Sequence, residues 1–211
     1  MSDSLVKYDT AWLLKQKLLG AMQTRNHQHP LSGLVQVDDA YLGGEATLGA
    51  GDKTGHGAPN KRSFVVAVAT RDGRPTALHL RRVEAFSKAA IRPYADQHLA
   101  PGSRVVSDGL ACFTAFAEAG FEHTPIRTGS SKRPTTPQLA WANTILGNVK
   151  AAITGTCRAL RPRHADRYLA GFEYRFNRRT NLPSMIHRLA TAALSQPPTP
   201  YRHFVPADKA G

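Results

Sequence analysis

Residues 34–44 read LVQVDDAYLGG, an apolar run that ends in two carboxylates, Asp38 and Asp39. Its Val and Leu content is typical of a β-strand that is buried on both faces, and we predict a strand over 33–40. Residues 104–109 read RVVSDG, so a second short apolar run ends in Asp108. Acids at the ends of two strands indicate a site for a divalent cation, because Mg²⁺ prefers hard oxygen ligands.

The charge of the chain indicates what such a cation would act on. The 211 residues include 28 Lys and Arg against 15 Asp and Glu, which gives a formal net charge of +13. A strongly basic chain favours a polyanionic partner, and a divalent metal held against nucleic acid is the setting of phosphodiester chemistry.

The sequence has no sign of a membrane or a secreted protein. No apolar run approaches the roughly 18 residues of a membrane span, and the N-terminus lacks the pattern of a signal peptide. We therefore expect a cytoplasmic protein without a membrane partner. Cys112 and Cys157 are the only cysteines, and they are interpreted as two reduced thiols because they form no metal-binding pair or disulfide framework.

Periodicity and turn residues predict the order of the elements. We expect a hairpin turn at Arg71-Asp72-Gly73-Arg74, a long Gly-rich loop over 43–60, a basic loop over 129–137 and a loose tail from Gln196. Helices are predicted over 9–25, 85–98, 110–119, 138–154, 164–177 and 183–195. Strands are predicted over 33–40, 64–69, 76–83, 105–106 and 121–127.

This order predicts the fold class. Three antiparallel strands followed by α/β alternation are the layout of a ribonuclease H-like mixed sheet flanked by helices, with helical N- and C-terminal extensions. We divide the chain into an N-terminal helix over 1–30, a catalytic domain over 31–180, and a C-terminal helix with the loose tail over 181–211. In such a sheet, Asp38 and Asp108 can be brought together although 70 residues separate them.

A third ligand is sought on the helix predicted over 138–154. Asn143 and Lys150 are seven residues apart, about 700° around a helix, so they share a face. From spacing alone, an Asn cap and a solvated Lys is the simpler interpretation. Strand alternation sends Asp38 and Asp39 to opposite faces, and periodicity does not choose between them.

Five ordered motifs resemble one family. They are residues 37–44, 107–109, 141–150, 155–157 and 174–179, which read VDDAYLGG, SDG, WANTILGNVK, GTC and YRFNRR. Together they resemble bacterial insertion-sequence transposases of the ISXO2-like group in the DDE superfamily. Members of this group carry Asp, Asp, then Asn or Glu, and a Lys seven residues later. The resemblance covers roughly residues 8–180.

The resemblance implies a catalytic site and a reaction. Asp38, rather than Asp39, would bind metal with Asp108 and Asn143, while Lys150 would contact DNA. Two Mg²⁺ ions are implied, for which Mn²⁺ can substitute. The implied partners are the terminal inverted repeats of the element, the target DNA and further copies of the chain. The implied location is the bacterial nucleoid.

Further DNA contacts are predicted in the basic region from Trp141 to Ala190. It holds nine Lys or Arg and two acids, with Tyr168, Tyr174 and Phe176 interleaved. A solvated Arg-rich helical face is the alternative. Besides Lys150, the predicted contacts are Arg158, Arg161, Arg163, Arg175, Arg178 and Arg179.

Two departures from the family keep other functions open. Relatives usually carry a zinc ribbon and a helix-turn-helix before this region, whereas the segment from Tyr8 resembles only the last helix of that DNA reader, and no cysteine pairs precede it. Cys157 stands where relatives often have Tyr.

The alternatives to an active transposase are a non-catalytic DNA-binding relic of a transposase and a nuclease that acts on RNA–DNA hybrids. His123 could orient a water, and Trp141 could stack on a base or pack in the core.

Overall fold

A computed structural model describes residues 6–26, 29–42, 62–126, 137–156 and 164–204. The strands are β1 (Leu34–Leu42), β2 (Arg62–Arg71), β3 (Arg74–Arg82), β4 (Arg104–Asp108) and β5 (Glu122–Ile126). The helices are α1 (Tyr8–Asn26), α2 (Lys88–His98), α3 (Ala115–Glu118), α4 (Ala140–Thr156), α5 (Ala165–Asn177) and α6 (Leu182–Leu194). The predicted Gly-rich loop and most of the predicted basic loop lie outside the described residues.

The five strands form one mixed sheet in the order β3-β2-β1-β4-β5. β1 pairs with β2 and β2 with β3 in antiparallel register, whereas β1 pairs with β4 and β4 with β5 in parallel register. The predicted ribonuclease H-like fold is therefore confirmed. The central strand β1 and its parallel neighbour β4 are the strands that carry the predicted acids.

The hairpin between β2 and β3 forms where the sequence predicts it. Asp72 and Gly73 have φ angles of 52° and 71°, as a two-residue turn of the I′ type requires at both central positions. This turn fixes the antiparallel half of the sheet.

Side chains alternate along β1 between two hydrophobic cores. Val35 and Val37 are fully buried in the core that includes residues of α2 and α3. Ala40 and Leu42 belong to the core formed with α4 and α5. The even-numbered residues of β1, Asp38 among them, therefore face the side of the sheet that α4 covers.

Side chains from α5 cover the outer edge of β3. Asn177 Oδ1 accepts a hydrogen bond from the Leu78 N–H at 2.7 Å, and its Nδ2 donates to the Leu78 carbonyl at 2.9 Å. Glu173 accepts from the Leu80 N–H at 3.0 Å and forms a buried ion pair with Arg81. Burial raises the pKa of Glu173, and the Arg81 charge opposes that rise. Both backbone groups of Leu78 and the N–H of Leu80 on this edge are thus paired within the chain.

The N-terminal helix α1 packs closely on α5. Asn26 Nδ2 donates to the Ala170 carbonyl at 2.9 Å. A Cβ at Gly171 would collide with Cδ2 of Leu19, so the absence of a side chain at Gly171 permits this approach. The predicted N-terminal helix is part of the packed structure.

The described part of the predicted loose tail is residues 196–204. It forms a 3-10 turn at Tyr201–His203, after which Phe204 is buried with its ring centroid 4.6 Å from the Arg167 guanidinium. Tyr201 and Phe204, which follow the prolines, are the aromatic residues of this part. Among the described helices, none has the length and apolar content needed to cross a membrane.

Candidate active site

The register of two parallel strands aligns the first two predicted ligands. Val37 of β1 is paired with Ser107 of β4. The next residue on each strand, Asp38 and Asp108, therefore points to the opposite face of the sheet, the face that α4 covers. Two short segments far apart in sequence are thus brought to one place.

Three carboxylates converge at this point of the sheet. Asp38, Asp39 and Asp108 are half-buried, and each offers an oxygen that lies within 4.8 Å of the others. The Asp39 N–H donates to Asp38 Oδ1 at 2.9 Å, and the Leu110 N–H donates to Asp108 Oδ1 at 3.3 Å. Strand alternation points Asp39 away from the face of Asp38. Its carboxylate nevertheless reaches those of Asp38 and Asp108.

The cluster concentrates negative charge. Burial, with the charges of Asp39 and Asp38, raises the pKa of Asp108 to about 6, and the hydrogen bond from Leu110 partly opposes this rise. Burial and the charges of Asp108 and Asp39 also raise the pKa of the Cys112 thiol to about 11. A cation placed among these oxygens would relieve the repulsion.

Helix α4 carries the predicted third ligand next to this face. Ala142, Ile145, Leu146 and Val149 are buried against the sheet, while Asn143 and Lys150 are exposed. Asn143 directly follows Ala142, whose N–H donates to Gln36 Oε1 at 3.2 Å. The first turn of α4 therefore contacts β1 at Gln36, two residues before Asp38.

Sequence reasoning missed Gln36. Its side chain is buried, and besides Ala142 it also accepts from the Trp141 N–H at 2.9 Å. The available signal was its position, because a polar residue two places before Asp38 in an otherwise apolar strand shares the face of Asp38.

His123 and Trp141, which were also considered from the sequence, each form a hydrogen bond within the protein. His123 Nε2 lies 2.8 Å from the Ser107 hydroxyl, and burial lowers the pKa of His123. The Trp141 indole N–H donates to the Gly73 carbonyl at 2.8 Å, and the half-buried ring packs against the core beneath α4. Cys112 is buried.

The predicted DNA-binding arginines fall into two groups. Arg158, Arg161 and Arg163 lie outside the described residues, as does Cys157. Arg178 and Arg179 stack on the rings of Tyr174 and Phe176, at 3.7 and 3.9 Å from the ring centroids. Arg175 is exposed, and its Nε donates to the Gly171 carbonyl at 3.1 Å.

Comparison of the sequence with protein families gives a match over most of the chain. The model of the ISXO2-like transposase domain matches residues 30–177, which include the whole sheet, α4 and α5. The chain belongs to the ISXO2-like transposase family. No curated protein is significantly similar to this family member in sequence.

Solved structures that resemble this ISXO2-like chain come from integrases and transposases. The catalytic core domain of BIV integrase is 21% identical, with a TM-score of 0.38, and the match covers 66% of this chain and 80% of that one. The Mos1 transposase catalytic domain with raltegravir and Mg is 11% identical, with a TM-score of 0.30, covering 89% and 98%. The Mos1 strand transfer complex is 12% identical, with a TM-score of 0.30, and the match covers 85% of this chain and 60% of that one. The fold assignment rests on strand order and register.

The donor set of the cluster fits a hard divalent cation. An octahedral Mg²⁺ with ligands at about 2.1 Å holds opposite oxygens about 4 Å apart, and the 4.8 Å spread of the three carboxylates is close to this. Burial is the main cause of the raised pKa of Asp108, and the charges of Asp39 and Asp38, which a cation would offset, add to it. Carboxylate and amide oxygens are also the ligands that such ions prefer.

Proposed function

We propose that this chain is a DNA transposase that cleaves phosphodiester bonds at the ends of an insertion sequence and joins those ends to target DNA. The supporting observation is the alignment of Asp38 and Asp108 on parallel strands with oxygens within 4.8 Å, in a chain whose family is that of ISXO2-like transposases.

The residues of the site have distinct roles in this proposal. Asp38, Asp108 and Asn143 hold two Mg²⁺ ions, for which Mn²⁺ can substitute, and the exposed Lys150 contacts a phosphate. When bound, the ions supply charge stabilisation at the phosphate and activation of the attacking oxygen. The carboxylates of Asp38 and Asp108 would hold the ions at the sheet, and Asn143 would offer a neutral oxygen that holds metal less strongly than a carboxylate.

The chemistry needs no external energy source. In the first step, a water oxygen attacks phosphorus, the bond between phosphorus and O3′ breaks, and the leaving oxygen takes a proton, which gives a 3′-hydroxyl and a 5′-phosphate. In the second step, that 3′-hydroxyl attacks a phosphodiester of target DNA, so one phosphate ester forms as another breaks. Neither step forms a covalent bond to the protein.

The substrate sets the partners and the location. We propose terminal inverted repeats and target DNA as ligands, assembly of several copies on DNA to hold two ends together, and action at the bacterial nucleoid. The high positive charge of the chain supports an anionic partner.

The test uses purified protein, Mg²⁺ or Mn²⁺, and duplexes that carry the inverted repeats flanking the gene. We expect nicked and joined products, both lost in Asp38→Asn and Asp108→Asn. Asp72→Asn is the matched control, because Asp72 is an exposed turn residue with positive φ that Asn accepts.

The alternatives give different results. Tight binding of the same duplexes without product in either metal would favour a non-catalytic relic. Cleavage of RNA–DNA hybrids in preference to the duplexes would favour a ribonuclease.

A further inference from the structure

The start of helix α4 is capped by a side chain from strand β1. Gln36 Oε1 accepts hydrogen bonds from the backbone N–H groups of Trp141 at 2.9 Å and Ala142 at 3.2 Å. The side chain is only 5% exposed, so solvent does not replace these bonds easily. One carboxamide oxygen therefore ties the first turn of α4 to the middle of the sheet.

The local sequence provides no equivalent cap. The first N–H groups of a helix have no partner within it, and a Ser, Thr, Asp or Asn just before the helix usually accepts from them. Here α4 follows the 3-10 turn Pro137–Leu139, and Leu139, the residue immediately before the helix, has no side-chain acceptor. The cap comes instead from a residue 105 positions earlier in the chain.

This contact lies between two of the proposed metal ligands. Gln36 and Asp38 share a face of β1, and two residues along a strand span about 6.6 Å. On the helix, Ala142 is followed directly by Asn143. The connection from Asp38 to Asn143 through Gln36 is therefore short, and it does not pass through any loop.

We propose that Gln36 is a positioning residue, which sets the place of α4 along β1 and thereby the distance from Asn143 to the two aspartates. The proposal rests on the proposed function, because it gives Asn143 a role as ligand. Metal sites tolerate ligand displacements of only about 0.2 Å, so a small shift of the helix would weaken binding without unfolding the protein.

Substitutions at Gln36 separate positioning from general stability. Gln36→Leu keeps the size but removes the acceptor of the half-buried Trp141 N–H and the buried Ala142 N–H. Gln36→Asn keeps the amide but is one methylene too short, and is the milder change. Gln36→Glu keeps an acceptor at the same reach, with a charge that suits a helix N-terminus, and should restore the position. Gln138→Leu is the matched control, because Gln138 is exposed in the turn before α4.

The primary measurement is Mn²⁺ affinity of the DNA-free protein, which needs no turnover. We expect Gln36→Leu and Gln36→Asn to bind Mn²⁺ about tenfold more weakly, as is typical for residues that orient metal ligands. Gln36→Glu and Gln138→Leu should stay near the wild-type value. Hydrogen exchange in metal-free protein should be faster at the Trp141 and Ala142 amides in Gln36→Leu and Gln36→Asn.

A double-mutant cycle identifies the residue through which Gln36 acts. In an Asn143→Leu background, Gln36→Asn should weaken Mn²⁺ binding no further, because the ligand it positions is gone. A full additional loss in that background would overturn the proposal, as would normal Mn²⁺ binding by Gln36→Leu and Gln36→Asn. If wild-type protein binds no Mn²⁺ through Asp38 and Asp108, the proposed function fails as well, and the two failures are thereby distinguished.

Discussion

Asp38 of β1 directly follows Val37, and Asp108 of β4 directly follows Ser107, which is the residue paired with Val37. Because the strands run parallel, the two carboxylates leave the sheet on the same side and at the same level. A parallel pair fixes this relationship through backbone hydrogen bonds alone. The spacing of the two acids is thus a property of the sheet and does not depend on the loops around it.

The pH dependence of metal-free stability should report the burial of Asp108 and the acids beside it. The pKa of Asp108 is raised from 3.8 to about 6, so the folded state holds this proton more tightly than the unfolded state does. The contribution of Asp108 to the free energy of unfolding is therefore lost as pH rises from about 4 to about 6. We expect the melting temperature of wild type to fall over this range relative to that of Asp108→Asn, measured by calorimetry without divalent ions. Parallel curves for the two proteins would contradict the assignment.

Metal binding should show the opposite pH dependence. Mn²⁺ needs an ionised carboxylate, so its affinity should fall by about tenfold for each pH unit below 6 if binding displaces one proton. Titrations at pH 5, 6 and 7 measure this slope, and a flat profile would place Asp108 outside the ligand set.

The two neighbouring acids of β1 can be separated by matched substitutions. Asp38 shares the face of the sheet with α4, whereas Asp39 has the opposite alternation, although its oxygen reaches the cluster. We expect Asp38→Asn to abolish cleavage and Asp39→Asn to reduce it by a smaller factor, in a gel assay of end cleavage. The reverse order would show that Asp39 is the ligand.

The neutral ligand gives a prediction about metal preference. Asn143→Asp should retain cleavage or shift the preference between Mg²⁺ and Mn²⁺, because it adds a charge to the same donor atom. Asn143→Leu should abolish cleavage and leave DNA affinity nearly unchanged. Full activity of Asn143→Leu would exclude Asn143 as a ligand.

Lys150 should contribute to DNA binding through one phosphate contact. Lys150→Ala should weaken binding to all sequences alike and reduce the slope of log affinity against log salt by about one. Lys88→Ala is the control, because Lys88 lies on α2 across the sheet and pairs with Glu118. An equal change of slope in both variants would remove Lys150 from the interface.

The close approach of α1 and α5 predicts opposite effects for two glycine substitutions. Gly171→Ala adds a Cβ that collides with Leu19, so we expect about 1–3 kcal/mol lower free energy of unfolding. Gly20→Ala adds a Cβ with no atom within 4 Å and should raise it by about 0.5–1 kcal/mol through helix propensity. Urea denaturation measures both, and a stabilised Gly171→Ala would show that the Leu19 side chain moves aside without cost.

The sheet was predictable because its signals are local. Val-rich runs and the Asp72-Gly73 turn lie within a few residues of the features that they specify. The acids were expected at two strand ends, but only Asp108 ends its strand, because β1 continues past Asp38 to Leu42. Periodicity also predicted most of the helices, but the helix predicted over 110–119 is a 3-10 turn at Ala111–Thr114 followed by the single turn α3. The alignment of Asp38 with Asp108 depends on strand order, which the sequence predicts only through the fold class.

The parts that escaped prediction depend on partners distant in sequence. Gln16 is fully buried in α1 and its Nε2 donates to the Tyr168 hydroxyl, whereas Leu14 of the same helix is 57% exposed. Nothing around Gln16 indicates that α5 offers a polar partner there. The pairing of Gln36 with α4 and of Asn177 with Leu78 joins residues about 100 positions apart, and only the folded topology brings them together.

The amide of Asn177 occupies both backbone groups of Leu78 that a neighbouring strand would use. A border strand with these groups free is a template onto which an extended segment of another molecule can add, and this is how sheets grow into fibres. In this protein that border is already closed by its own helix. A second copy of the chain is therefore hindered from adding a strand to β3 at Leu78.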